Sequence, residues 1–271
     1  MSTVGQREKK TQQCVVKLFC DTLGYAYLGN WEERENSRNI EPDLLRAWLK
    51  RQGHADALIG KVLYELEKAA GDTSKSLYDR NRAVYDLLRY GVKVRPDVGE
   101  NMVTVWLVNW KQPEKNDFAI AEAVTVAAAN AKAHGKRPDI VLYVNGIALG
   151  VLELKRSTVS VAEGIRQNLD NQKKEFIQPF FSTMQLVLAG NDTEGLCYGT
   201  IETSEKYYLK WKEESTVENP VDRALTQLCA KARSTTTPPA RWTASTRRMW
   251  RGCWKTGSAR RGSDSKRPAS P

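Results

Sequence analysis

Long apolar runs are missing from these 271 residues. None approaches the ~20 consecutive apolar residues that a membrane-spanning helix needs. The opening residues, Met1 to Lys10, carry no apolar secretory core, so a cytoplasmic location is expected. Histidine is scarce, with only His54 and His134, and the five cysteines (Cys14, Cys20, Cys197, Cys229, Cys253) form no C-x-x-C pair. That spacing argues against a structural zinc site or a disulfide framework and for reduced, mostly buried thiols. No G-x-x-x-x-G-K-[ST] phosphate loop occurs, and no internal repeat.

What is present is ordinary for a globular protein, with 41 % apolar and 27 % charged residues. The net charge of +10 is unevenly spread. Residues 234–271 hold nine Lys/Arg and one Asp, a net +8, which leaves +2 for residues 1–233. The high pI is therefore not the signature of a basic face spread over the whole fold. The composition changes at Ser234, where Ser-Thr-Thr-Thr-Pro-Pro-Ala-Arg-Trp leads into an Arg-, Ser- and Trp-rich stretch without apolar periodicity. A basic tail with interleaved aromatics suits nucleic acid. The alternative reading is a tail with no evolved fold, such as a shifted reading frame, and disorder is expected from about residue 234.

Four domain-level segments follow. Residues 1–92 read mostly helical. Val15, Val16, Phe19 and Leu23 share one face, and further helices are expected from Pro42, over Asp56–Ala70 and over Leu77–Tyr90, with Gly91 as a stop. Residues 93–212 read as an α/β core. Strands are expected at Met102–Trp110, Phe118–Val126, 139–155, Met184–Ala189, Leu196–Ile201 and Tyr207–Trp211. Ser160-Val-Ala-Glu163 has the form of a capping box before a helix. Residues 213–233 contain the start of a connector helix at Pro220, and residues 234–271 form the tail. The fold class expected is α/β, a mixed central sheet flanked by helices.

The densest chemistry lies in Pro138-Asp-Ile-Val-Leu-Tyr-Val-Asn-Gly-Ile-Ala-Leu-Gly-Val-Leu-Glu-Leu-Lys155. Asn145-Gly146 marks a hairpin turn, because both residues tolerate positive φ. On the second strand Val151, Glu153 and Lys155 share a face; on the first, Asp139, Val141 and Tyr143 do. A strict two-residue loop pairs residue 139 with 152, which puts Asp139 and Glu153 on opposite faces. One bulge or one extra loop residue pairs 139 with 153 and unites them. A functional site here therefore requires that irregularity. Given it, Asp139 and Glu153 are hard oxygen ligands for Mg²⁺, the Leu154 carbonyl adds a third, and Lys155 orients a water and offsets charge at a phosphodiester. A solvated, charged strand end is the competing reading of the same residues.

This run, preceded by Arg137, resembles the nuclease motif in the N-terminal domain of type I restriction-modification R (HsdR) subunits, of the PD-(D/E)xK or RecB-like class. Val15 to Trp31, Asn116-Asp-Phe118, Leu186 to Asn191, Tyr198-Gly-Thr200 and Trp211-Lys212 resemble other landmarks of that family, so the likeness spans roughly residues 7–233. The resemblance implies a restriction-endonuclease-like core whose catalytic trio is Asp139, Glu153 and Lys155. It also implies a helix carrying Gln-x-x-x-Tyr. Gln167 matches the Gln and is expected to contact Lys155 or DNA, while Asn171 stands at the Tyr position. Glu8 is the nearest acidic residue of the first helix.

The activity implied is that of a type I site-specific deoxyribonuclease, a Mg²⁺-dependent hydrolase. Its expected partners are double-stranded DNA and the modification (M) and specificity (S) subunits, with no membrane. Family R subunits continue into an ATP-driven translocase. The missing phosphate loop means that an ATP site is absent from these residues, and the chain reads as truncated before that motor. Two other functions compete: a DNA- or subunit-docking module that keeps the fold without cutting, and a stand-alone RecB-like repair nuclease.

Overall fold

A computed structural model describes residues 3–128, 134–211 and 216–231. The tail from residue 234 and the side chain of Glu8 lie outside the described residues. In chain order the main elements are α1 (Thr3–Lys17), β1 (Ala26–Asn30), α2 (Pro42–Arg51), α3 (Asp56–Gly71), α4 (Leu77–Tyr90), β2 (Val92–Val94), β3 (Val103–Val105) and β4 (Phe118–Glu122). They continue with β5 (Ile140–Val144), β6 (Ile147–Leu154), α5 (Val161–Asn171), β7 (Leu186–Asn191), β8 (Gly195–Gly199), β9 (Leu209–Lys210) and α6 (Pro220–Cys229).

Seven strands form one mixed sheet in the order β1-β4-β5-β6-β7-β8-β9, and helices flank it, as the patterning implied. The β1–β4 and β6–β7 pairs are parallel and the rest antiparallel. Parallel neighbours need a crossover, and α5 supplies it between β6 and β7. One sheet face buries Ala121, Val141, Tyr143, Val151 and Val187 under Phe180, Phe181 and Met184. Helices α2, α3 and α4 enclose a separate core around Trp48, Leu49, Ile59, Leu66 and Val84. Among the described residues no helix is long and apolar enough to cross a membrane.

Three expectations need correction. Residues 1–92 are mostly helical but also contribute β1, a strand not expected there, which enters the central sheet beside β4. Its five residues, Ala-Tyr-Leu-Gly-Asn, are too few and too exposed to give a period-2 signal. The expected strand Met102–Trp110 shrinks to β3, which pairs with β2 in a separate two-stranded sheet. After it, Asn116 folds the chain back: its Oδ1 accepts from Asn109 N at 2.8 Å and its Nδ2 donates to Asn109 O at 2.9 Å. The capping box at Ser160 is incomplete. Ser160 Oγ accepts from Ala162 N at 3.3 Å, Glu163 pairs with Arg166, and the Val161 N–H donates to Glu194 at 3.0 Å.

Candidate active site

The hairpin has the irregularity that the site requires. Val144 pairs with Ile147 across the two-residue turn, and Tyr143 pairs with Ala148. Leu142 then pairs with Gly150, so Leu149 is an extra residue in β6, and Ile140 pairs with Leu152. Extended by one residue, that register sets Asp139 opposite Glu153. The bulge is held from outside the hairpin. The Leu149 carbonyl accepts from Gln185 N at 2.8 Å, and the Ala148 carbonyl accepts from Thr183 Oγ1 at 2.6 Å. Ala148 N donates to the Asn39 carbonyl at 2.8 Å. Bulge groups left without ladder partners are thus satisfied by neighbouring segments, which favours this register over its alternatives.

The turn is fixed just as firmly. Asn145 and Gly146 have φ of 54° and 83°. Buried Asn145 Nδ2 donates to Leu107 O at 2.9 Å and Asn116 Oδ1 at 2.8 Å, while its Oδ1 accepts from Asp117 N at 2.8 Å. A Cβ on Gly146 would meet Leu45 N at 2.8 Å and Glu41 O at 2.9 Å, so glycine is needed for space as well as for φ.

At the open end, Asp139 is half-buried and lies just before β5, where its carbonyl accepts from Ala123 N at 2.7 Å. Its Oδ2 accepts from Leu154 N at 2.7 Å. Lys155 N donates to Gly190 O of β7 at 2.9 Å, so the N–H and C=O of Leu154 face the β5 side. The Leu154 carbonyl therefore points to the same side as Asp139. Glu153 is 0 % exposed. Gln167 links the other two members: its Nε2 donates to Glu153 Oε2 at 2.8 Å, and its Oε1 accepts from Lys155 Nζ at 2.7 Å. All four side chains read from the sequence, Asp139, Glu153, Lys155 and Gln167, thus gather at one end of β5–β6.

Helix α5 reaches the strands because Gly164 leaves room. A Cβ there would stand 3.1 Å from Ala189 Cβ and 3.6 Å from Glu153 Cβ. This residue escaped the sequence reading, although a glycine one turn before Gln167 is a legible sign of close packing. A polar strip beside the site was also missed. Gln12 of α1 approaches the Asp139 carbonyl at 3.4 Å and Glu122 at 3.5 Å, and Glu122 accepts from Tyr27 Oη at 2.8 Å and Asn30 Nδ2 at 3.2 Å. Burial first, then the hydrogen bond to Glu122, pushes the Tyr27 hydroxyl up to about 12. Among the described residues no group of three or more His, Cys, Asp or Glu side chains is placed to hold a metal. This end of the hairpin carries two carboxylates, Asp139 and Glu153, with the Leu154 carbonyl on the Asp139 side.

A helix-flanked mixed sheet whose end gathers two carboxylates, a lysine and a glutamine defines an α/β protein of nuclease-like architecture. The family is shown by sequence comparison: the type I restriction enzyme R protein N terminus matches residues 5–206, and the chain belongs to that family. A relative in Methanocaldococcus jannaschii, provisionally assigned as the MjaIXP endonuclease subunit of a type I restriction enzyme, is 24 % identical over 135 residues. That match covers 49 % of this chain and 13 % of the relative, so the chain spans only a small part of the protein it resembles.

Proposed function

We propose that this N-terminal R-subunit domain hydrolyses DNA phosphodiester bonds with Mg²⁺, at a site made of Asp139, Glu153, Lys155 and Gln167. The observation that carries the reading is the bulge at Leu149, which brings two carboxylates to one strand end beside a lysine. Asp139, Glu153 and the Leu154 carbonyl would hold the cation, a donor set that fits Mg²⁺, since it takes one or two carboxylates and fills its shell with water and phosphate. A cage of three acidic groups is not needed. When bound, Mg²⁺ polarises the phosphoryl oxygen and lowers the pKa of a coordinated water. Lys155 orients the attacking water and offsets negative charge as it builds on the phosphate. Gln167 fixes the direction of Lys155. On this reading the substrate is double-stranded DNA and the partners are the modification and specificity subunits of a type I complex. Residues 93–212, together with β1, serve as the nuclease core.

The test is purified chain with supercoiled plasmid and Mg²⁺, beside Asp139→Ala and Lys155→Ala. Wild type is expected to nick the plasmid, and each variant to lose on the order of 10²–10³-fold in rate. Equal nicking by all three refutes the site. DNA or subunit binding with no nicking by any of them would favour a docking module.

A further inference from the structure

Strand β6 runs out into a turn that opens with two cations in succession, Lys155 and Arg156. Val159 N donates to Arg156 O at 2.9 Å and closes the turn. The segment after β7 fastens it from the side. Asn191 Nδ2 donates to Val159 O at 2.7 Å, and Thr193 Oγ1 donates to Ser157 O at 3.2 Å. Lys155 N is bonded to Gly190 O in the same segment. The backbone at Arg156 is therefore fixed by the same strand that aligns Lys155.

Arg156 is half-buried, yet among the described residues its guanidinium has no hydrogen-bonding, ionic or ring partner. The other described arginines that are buried or half-buried each have one. Arg34 pairs with Glu41 and Arg46 with Asp56. Arg80 donates to Gln178, Arg89 to Tyr85 and Arg223 to Val217 O. The acids of the segment beside Arg156 are engaged elsewhere. Asp192 accepts from Thr11 Oγ1 at 3.0 Å and from Asn219 Nδ2 at 3.2 Å, and Glu194 accepts from Val161 N at 3.0 Å. Glu194 thereby also occupies the N-terminus of α5, whose N–H groups would otherwise suit an anion. A partly dehydrated cation without a counter-charge lowers stability, and it is open to an arriving anion.

We infer that Arg156 holds a backbone phosphate of the DNA strand, one that flanks the phosphate under attack at Lys155. The inference rests on the proposed nuclease site, which makes the neighbouring anion a phosphodiester. A guanidinium grips phosphate through two parallel N–H···O bonds and is more weakly hydrated than an ammonium. The two adjacent cations then have different tasks. Lys155, fixed by Gln167, serves the reacting phosphate, and Arg156 sets where the strand lies. A contact of this kind positions the duplex and reads no base, so it acts on any sequence.

The test measures binding of a short DNA duplex by the whole chain at several salt concentrations, with Ca²⁺ replacing Mg²⁺ so that the duplex stays intact. Wild type is compared with Arg156→Gln and Arg156→Lys. Arg156→Gln should weaken binding roughly 5–10-fold near 0.1 M salt and reduce the slope of log K against log salt by about 1. Arg156→Lys, which keeps the charge, should keep the slope. The thermal midpoint of Arg156→Gln should equal or exceed that of wild type. In plasmid nicking its KM should rise by the same factor as its Kd, with kcat changed less than about twofold. An unchanged salt slope in Arg156→Gln, whether or not its midpoint falls, overturns the inference and leaves the nuclease reading standing. A reduced slope with no nicking by wild type keeps the phosphate contact and removes the nuclease reading. No DNA binding by wild type overturns the inference outright.

Discussion

The two ends of the β5–β6 hairpin are built for different purposes. At the turn, Asn145 spends both amide atoms on Leu107, Asn116 and Asp117, and Gly146 fits against α2 with no room for a methyl group. Every feature there fixes one conformation. At the open end, eight residues along β6, the polar groups face one another: Asp139 takes a peptide N–H, and Gln167 spans Glu153 and Lys155. Such an arrangement contributes less to stability than apolar packing of the same volume, because burying Glu153 costs desolvation. The rigid end sets the register, the bulge shifts it by one, and the open end inherits a cluster that a regular hairpin would have divided between two faces.

This comparison can be broken from either side. The largest effect is expected at the open end. Glu153→Gln keeps the shape, removes the charge, and should slow Mg²⁺-dependent nicking by roughly 10²–10³-fold. Its thermal midpoint should not fall, which a melting curve checks. At the turn the pattern reverses. Gly146→Ala forces a side chain into φ of 83° and into contact with Leu45 N and Glu41 O. It should cost about 2–3 kcal/mol in denaturant unfolding, in the range for backbone strain with overpacking. Nicking per folded molecule should stay at the wild-type level. A Gly146→Ala protein of normal stability would show that the turn does not fix the register.

The smallest effect belongs to the rim. The Tyr27 hydroxyl is pushed up to about 12, so the folded protein retains this proton above the ~10 of a free tyrosine. The associated stability is present below about pH 10 and is lost as pH rises toward about 12. Tyr27 is 47 % exposed, so solvent screening keeps the effect small. Tyr27→Phe should flatten the alkaline decline of the melting temperature slightly and leave nicking at neutral pH unchanged. An unaltered alkaline decline would mean that the Tyr27–Glu122 contact adds nothing.

Much of this was legible in the sequence, for identifiable reasons. Strand alternation and the Asn145-Gly146 turn were enough to require a bulge or an extra loop residue for a site here, since a strict two-residue hairpin does not unite Asp139 with Glu153. The position of the bulge at Leu149 was not legible. It depends on Asn39, Gln185 and Thr183, which are distant along the chain and invisible to local periodicity. Gln167 was found through family resemblance, whereas Gly164, which lets Gln167 reach the strands, carried only a weak local signal. Helix α4 ran over the expected Leu77–Tyr90 because a Ser76 cap and a Gly91 stop at φ 75° are both local. Strand β1 was missed because its short sequence is stabilised by pairing with β4, some 90 residues later.

The central claim is that Asp139 and Glu153 form one cation site across the bulged register. Titration calorimetry of wild type, Asp139→Asn and Glu153→Gln with Mg²⁺, and with Mn²⁺ as a substitute, tests it without requiring turnover or partner subunits. The account predicts saturable binding at one site in wild type that is lost in both variants while their folds persist. Equal binding by all three proteins, or none by wild type, would contradict it.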